Sequence, residues 1–467
     1  MPTLAALLPV LTVLGLLLAG RSSLRAAVWG LAVALGVAGW QAWVGTSDVP
    51  ASAWRAAAVY WLPVVAEVVF IIGGGLALSQ LLQARGAQAA LAVWLEQRAG
   101  RGAGAVLLVV HGVTPFAESV TGFGIGVTLG IPLLLHLGLA PARAAAVGLL
   151  GLCAVPWGSM GPGTLVAARM AGLPVDALGV ASAVFSGVPF LVAGWAAVWL
   201  AGPSAARGRD LALATASALV LWGSVWAANT LVGTPPAGAL GALLTALFHL
   251  LLRRGAWPAL PAPAWVALRA YALLLGGVLL SALAVRLAGG WPYLASPALW
   301  LWVAALLAAR GSAWRAPMAQ ALRGWGVVAP VALAYIALGL VMSVTQLAAQ
   351  LAEALAGLGS GYALAAPFVA ALGGFITGSN TGANAMLADT QARIAAQIGA
   401  PALPFMAIHN VCAALLLMAS PAKVEMALQL CPPAALQARA WVQRTVLLAA
   451  LASVLVLALV NMAMQPG

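Results

Sequence analysis

The chain has almost no charge. Of its 467 residues only 6% are Asp, Glu, Lys or Arg, where a soluble domain carries about a quarter. No polar stretch is long enough to close a core of its own, so a soluble domain is excluded. Lysine is nearly absent: the 21 basic residues are Lys423 and otherwise arginine. Histidine (4) and cysteine (3) are scarce, and Cys153, Cys412 and Cys431 show no ligand spacing, which leaves them structural and removes a metal centre from the reading. Hydrolytic and redox signatures are missing as well: no GxxxxGK[ST], no GxSxG, no HExxH and no paired CxxC. An enzyme is not expected, nor a cofactor, and an ATP-driven pump is excluded for this chain alone.

What is present is apolar sequence. Hydrophobic residues make up 64% and the mean hydropathy is +1.05. Runs such as 4–20, 210–232 and 443–464 meet or approach the 20 or so residues a spanning helix needs. They are apolar all round and do not alternate as barrel strands do. The fold class expected is an all-α polytopic membrane protein of roughly 12–14 segments. The first run has no basic residue before it and no small-residue cleavage site, so it reads as a retained helix. The net charge of +12 comes from arginines in short loops; it marks the cytoplasmic side and not a nucleic-acid partner. Arg21 and Arg25, the segment 84–102, Arg207 and Arg209, Arg253 and Arg254, Arg310 and Arg315, and Arg439 and Arg444 then lie inside, with both termini outside.

One short pattern occurs twice. PFAESVTGFGIGVT (115–128) and PFVAALGGFITGSN (367–380) match at Pro115/Pro367, Phe116/Phe368, Gly122/Gly374, Phe123/Phe375 and Gly126/Gly378. By the arginine pattern the two copies start from opposite faces, the mark of an inverted-topology repeat. The division expected is a first repeat at 1–202, a two-helix linker at 203–264 and a second repeat at 265–467. Glycine-rich backbone cannot face lipid, because its N–H and C=O groups find no partner there. Two interrupted segments meeting at mid-membrane present helix N-termini, which attract anions.

The candidate site residues follow from this. Glu118 is an ionisable group inside a membrane segment, which is costly and usually functional; it is the first candidate for proton coupling. Glu67, about seven residues into its helix, is the second, and His409 the third. Substrate-binding candidates are Ser119, Thr121, Gly122, Phe123 and Gly124 in the first window, and Thr377, Ser379, Asn380, Thr381 and Asn384 in the second, with Ser420 downstream. Their amides and hydroxyls suit a carboxylate and a substrate hydroxyl. Asp389 and Arg393, at i and i+4, read as a structural pair. Lys423 and Glu425 read as residues near a membrane face. His111 reads more readily as a packed histidine than as a proton relay, and His136 and His249 as structural or interfacial.

In order along the chain, these stretches resemble the L-lactate permease family. The first carries Phe116, Glu118, Gly122, Phe123 and Gly124, then Gly138, Leu139 and Pro141. The second carries Phe375, Thr377, Gly378, Ser379, Thr381, Asn384, Gln391 and Gln397, followed by Ser420–Pro421. Two positions depart from the family pattern: Asn380 replaces an aspartate and Leu417 a lysine. The resemblance implies a bacterial inner-membrane carrier that takes up lactate or glycolate with protons. The Ser379–Asn380–Thr381 turn is also similar to those of the wider ion-transporter superfamily, which implies an elevator-type movement by analogy. The partners expected are a small organic anion, protons and the lipid bilayer, with a homodimer left open and nucleic acid excluded. The alternatives are the same fold carrying a sulfonate or dicarboxylate, sodium in place of protons, and, more remotely, a channel or a membrane subunit of a complex.

Overall fold

A computed structural model describes residues 2–47, 49–122, 124–311 and 313–465. Among the described residues all regular structure is helical. In chain order the helices are α1 (Pro2–Leu18), α2 (Ser23–Trp43), α3 (Ala51–Ala84), α4 (Ala87–Ala99), α5 (Ala103–Leu107), α6 (Thr114–Thr121), α7 (Ile125–His136), α8 (Pro141–Leu150), α9 (Pro162–Ala171), α10 (Val175–Phe185) and α11 (Gly187–Leu200). Then come α12 (Arg207–Leu231), α13 (Thr234–Leu252), α14 (Ala262–Ala288), α15 (Pro297–Ala309), α16 (Arg315–Val344), α17 (Leu347–Ala356), α18 (Tyr362–Thr377), α19 (Asn380–Gln397), α20 (Ala402–Leu415), α21 (Pro421–Gln429) and α22 (Arg439–Ala463). A π-helical turn, Leu108–Val113, joins α5 to α6, and 3-10 stretches Gly151–Met160 and Leu416–Ala419 follow α8 and α20.

Eleven of these helical runs are long and apolar enough to cross a membrane, or twelve if the α9–α10 pair, bent by 113°, is one span. That reaches the lower end of the range expected from hydropathy. Several apolar helices, such as α7 and α17, are too short to cross.

The glycine windows are where helices turn back. Gly122 ends α6 at φ 72°, its N–H bonded to the Glu118 carbonyl, and Gly124 at φ 87° precedes α7. A residue with a Cβ is strained there. The arm then folds onto its partner: a Cβ on Gly126 would overlap the Thr114 carbonyl, and one on Gly130 the Thr114 hydroxyl. The second window does the same. Gly378 ends α18 at φ 63°, its N–H bonded to the Gly374 carbonyl, and Gly373 packs on Ala383 and Leu387 of α19. Matched at these caps, Gly122 corresponds to Gly378. The sequence match pairs Gly122 with Gly374, one helical turn too early, because proline and glycine recur along both arms.

The order of elements also recurs. A long helix with an internal proline (α3 with Pro63, α16 with Pro330) leads to a short helix, a hairpin, a helix ending in 3-10 turns and another short helix (α9, α21). The halves interlock. Gly163 of α9 sits on Asn380 of the second hairpin, while Met426 and Lys423 of α21 sit on Gly124 of the first. Helices α12 and α13, in the stretch expected as a linker, pack into the body: Gly112 lies on Ala246, and Gly238 on Trp157 and Ser119.

Close packing at glycine has a measurable consequence. A methyl on Gly374 would overlap the Ala413 carbonyl oxygen, whereas one on Gly361 meets nothing within 4 Å. Overpacking of this kind costs about 1–3 kcal/mol. Gly374→Ala is expected to lower the thermal midpoint of the detergent-solubilised protein by several degrees, with Gly361→Ala unchanged; differential scanning fluorimetry reads both.

Candidate functional site

The two hairpin tips meet at a cavity of about 260 Å³. At about 30 Å³ per liquid water, it is far larger than a trapped solvent needs. Glu118 and Gly122 come from the first hairpin, and Thr377, Gly378, Ser379, Asn380 and Thr381 from the second. Gly158, Ser159, Pro162 and Gly163 close one side, Val328, Val331, Ala332 and Tyr335 of α16 another, and Leu417 and Lys423 a third.

Four helices have their first turns at or beside residues that line this space. Gly124 caps α7, Gly161 caps α9, Ser379 caps α19 and Ser420 caps α21. The first is already taken. Glu118, 6% exposed, accepts the Gly124 N–H with both oxygens at 3.0 Å and the Gly126 N–H at 3.2 Å. It is thus the cap of α7, on the wall of the cavity. At α19 the Ser379 hydroxyl accepts only the Gly382 N–H, at 3.2 Å. The amides of Asn380 and Thr381 make no hydrogen bond among the described residues.

Lys423 is the residue that sequence reasoning undervalued. It lies in the first turn of α21, half-buried, with its ammonium beside Gly124: a Cβ there would stand 3.1 Å from Nζ. Ion pairs within 4.0 Å among the described residues are Arg393–Asp389 and Arg439–Glu425, so Lys423 has none, Glu118 included. Its ammonium makes no hydrogen bond among them either; only its backbone N–H does, to Ser420 Oγ at 3.4 Å. A cation with no counter-ion on a cavity wall is ready for an anionic ligand. The signal in the sequence was its singularity, one lysine among twenty arginines.

Other expected residues are placed differently. Ser119 is fully buried and faces Gly238 of α13, away from the cavity. The Thr121 hydroxyl returns to the Ala117 carbonyl at 2.6 Å. Ser420 caps α21 behind the tip, 1% exposed. Asn384 is fully buried in an amide network: its Nδ2 donates to Asn380 Oδ1 at 3.0 Å, Asn410 Oδ1 at 2.9 Å and the Gly163 carbonyl at 3.1 Å. Asn410 in turn donates to Thr164 at 2.9 Å and Ser182 at 3.1 Å. This network ties α19 and α20 to α9 and α10, and its donors are committed to the fold. His409 is 1% exposed, off the cavity wall, with neither ring nitrogen hydrogen-bonded among the described residues. Phe123 lies outside the described residues. Asp389 and Arg393 do pair, at 3.0 Å.

Glu67 belongs to a second cavity of about 670 Å³, where it accepts from Ser296 Oγ at 2.8 Å. Arg169 and Asp176 share that cavity, and the turn at Gly161–Pro162 lies between it and the central one. Beside that turn Ser159 and Met160 hold φ of 52° and 62°, left-handed values uncommon for residues other than glycine.

The L-lactate permease family matches residues 2–255 and 275–465, nearly the whole chain. The chain belongs to the L-lactate permease family. It is therefore a polytopic membrane transporter and not an enzyme, and membership implies a small organic anion as cargo. No curated protein matches the chain. In this permease Asn380 and Leu417 line one and the same cavity.

Proposed function

We propose that this permease takes up a lactate- or glycolate-type 2-hydroxy acid together with a proton, and that the cavity between the hairpin tips is the site. One observation carries the reading: Lys423, unpaired, and Glu118 line that cavity together. With Glu118 ionised the pair is neutral. An anion entering a poorly solvated space would leave one net negative charge, which is costly there. A proton on Glu118 restores neutrality, so one anion brings one proton. Lys423 is the counter-charge of the carboxylate. The open amides of Asn380 and Thr381 and the hydroxyls of Ser379 and Thr381 supply donors, on the positive end of α19.

The reciprocal seating of α9 on the second hairpin and α21 on the first supports an inverted repeat with its axis near the cavity. With the arginine-rich loops inside, the first hairpin enters from the cytoplasm and the second from outside, in a bacterial inner membrane with both termini periplasmic. A second reading is favoured by Asn380 and Leu417: where the resemblance expects a further acid and base beside Glu118 and Lys423, this cavity wall carries neutral residues, and another small organic anion is the cargo of the same site. Uptake into proteoliposomes under an inward proton gradient separates the two. Accumulation of lactate and glycolate, abolished by an uncoupler, supports the first. Uptake of sulfonates or dicarboxylates with lactate excluded supports the second.

A further inference from the structure

Three inter-helix turns line the larger cavity, of about 670 Å³: those that lead into α10, α13 and α15. In the helices joined to them the arginines sit at the opposite ends. Arg207 and Arg209 open α12, Arg253 and Arg254 follow α13, and Arg310 follows α15. With arginine-rich loops inside, the three turns lie at the outer face. They are tied together there. Asp176 accepts the Thr234 N–H at 3.0 Å and joins α10 to α13. Ser296 donates to Glu67 at 2.8 Å and joins the turn before α15 to α3. Arg286, at the outer end of α14, donates to the Leu231 carbonyl at 3.3 Å.

The charges in this cavity suit an anion. Asp176 bonds the first residue of α13, and Glu67 bonds the N-cap of α15, so each carboxylate is offset by the partial positive charge of a helix N-terminus. Arg169 is left over. It makes no ion pair among the described residues and lies over the Tyr60 ring at 5.7 Å. At about 30 Å³ per liquid water, a small anion fits here with part of its hydration shell.

The floor of this cavity is a wall of the central one. Met160, Gly161 and Pro162 line the larger space; Gly158, Ser159, Pro162 and Gly163 line the smaller. On α3 the same division falls between Ile71 and Ile72. One turn of chain, with Pro162 facing both sides, therefore parts the two spaces. Met160 fills that turn, 2% exposed. The left-handed backbone of Ser159 and Met160 is of the kind that collects at clamps and switch regions. A Cβ on Gly122 would overlap Ser159, so the tip of the first hairpin braces the turn. Ser23, between Arg21 and Arg25, lines the central cavity and donates to the Thr377 carbonyl at 3.5 Å. The central cavity is thus on the inner side of the turn.

We infer that the larger cavity is the outer vestibule of the cargo path, and that the Ser159–Pro162 turn is the partition that closes the central site from it in an inward-facing state. This rests on the reading of the central cavity as the site. The test places Ala282→Cys in the vestibule or Ala332→Cys in the central cavity, with Cys153, Cys412 and Cys431 replaced by alanine. A charged, membrane-impermeant methanethiosulfonate is applied to right-side-out and to inverted membrane vesicles, and modification is read by mass. From the outer face Ala282→Cys is expected to react about tenfold or more faster than Ala332→Cys, and from the inner face the order reverses, as alternating access requires. Full modification of Ala282→Cys is expected to stop most lactate uptake, while Leu280→Cys, on the exposed face of α14, keeps it. Failure of Ala282→Cys to react from outside marks a lipid-filled crevice and overturns the vestibule. Equal rates for Ala332→Cys from both faces overturn the partition. Full uptake after modification of Ala282→Cys removes the cavity from the path. The reaction rates are read without lactate, so they stand apart from the site reading, which falls instead if Lys423→Gln leaves lactate binding unchanged.

Discussion

Lys423→Gln is expected to weaken lactate binding about a hundredfold. The ammonium is the only lysine charge in the chain, it lines the central cavity, and it makes no ion pair within 4.0 Å among the described residues. Truncating one partner of a buried, hydrogen-bonded charge pair costs about 2–5 kcal/mol, and each 1.4 kcal/mol is tenfold in affinity. With Lys423 gone, a protonated Glu118 leaves the cavity neutral and the incoming carboxylate unmatched. Stability is expected to be preserved, since Nζ makes no hydrogen bond or ion pair among the described residues. Lys423→Arg is not expected to rescue fully, because a planar guanidinium needs more room than an ammonium and Met426 and Gly124 crowd this corner. Titration calorimetry with lactate reads the effect. An affinity within threefold of wild type would remove Lys423 from the site.

Glu118→Gln is expected to do the opposite to affinity and to abolish coupling. A neutral side chain leaves Lys423 as the only charge, so a carboxylate binds without needing a proton. The glutamine oxygen still accepts from Gly124 or Gly126, which keeps the α7 cap. If each anion brings one proton, as proposed, wild-type affinity is expected to fall as pH rises, by up to about tenfold per unit. In Glu118→Gln it is expected to be flat with pH and at least as tight at alkaline pH. Binding measured across pH 6 to about 9 separates the two. An equally steep dependence in the variant would assign the proton to another group.

Much of this was legible in the sequence, for physical reasons. Long apolar runs dictate helices, and glycine clusters in such runs dictate breaks; both appear, at Gly122–Gly124 and Gly378. The two windows do meet. What a linear pattern does not encode is the direction of a side chain. Ser119, next to Glu118, turns to α13, and Asn384, one turn from Asn380, turns to Asn410. Polar residues in a membrane core satisfy one another as readily as they face a ligand, and the Asn384–Asn410–Thr164 set does the former. The four-residue slip between Gly374 and Gly378 has a similar cause, since both are glycines on one helix face. Lys423 reads as near a membrane face because it follows the Pro421 break. Only the fold of α21 onto the first hairpin brings it inside.

The charge balance at the heart of this mechanism is tested most directly by recording lactate and proton influx in the same proteoliposomes, for wild type and Glu118→Gln. One proton per lactate in the wild type, and lactate movement without acidification in the variant, is the expected result. Undiminished acidification with each lactate carried by Glu118→Gln would contradict it.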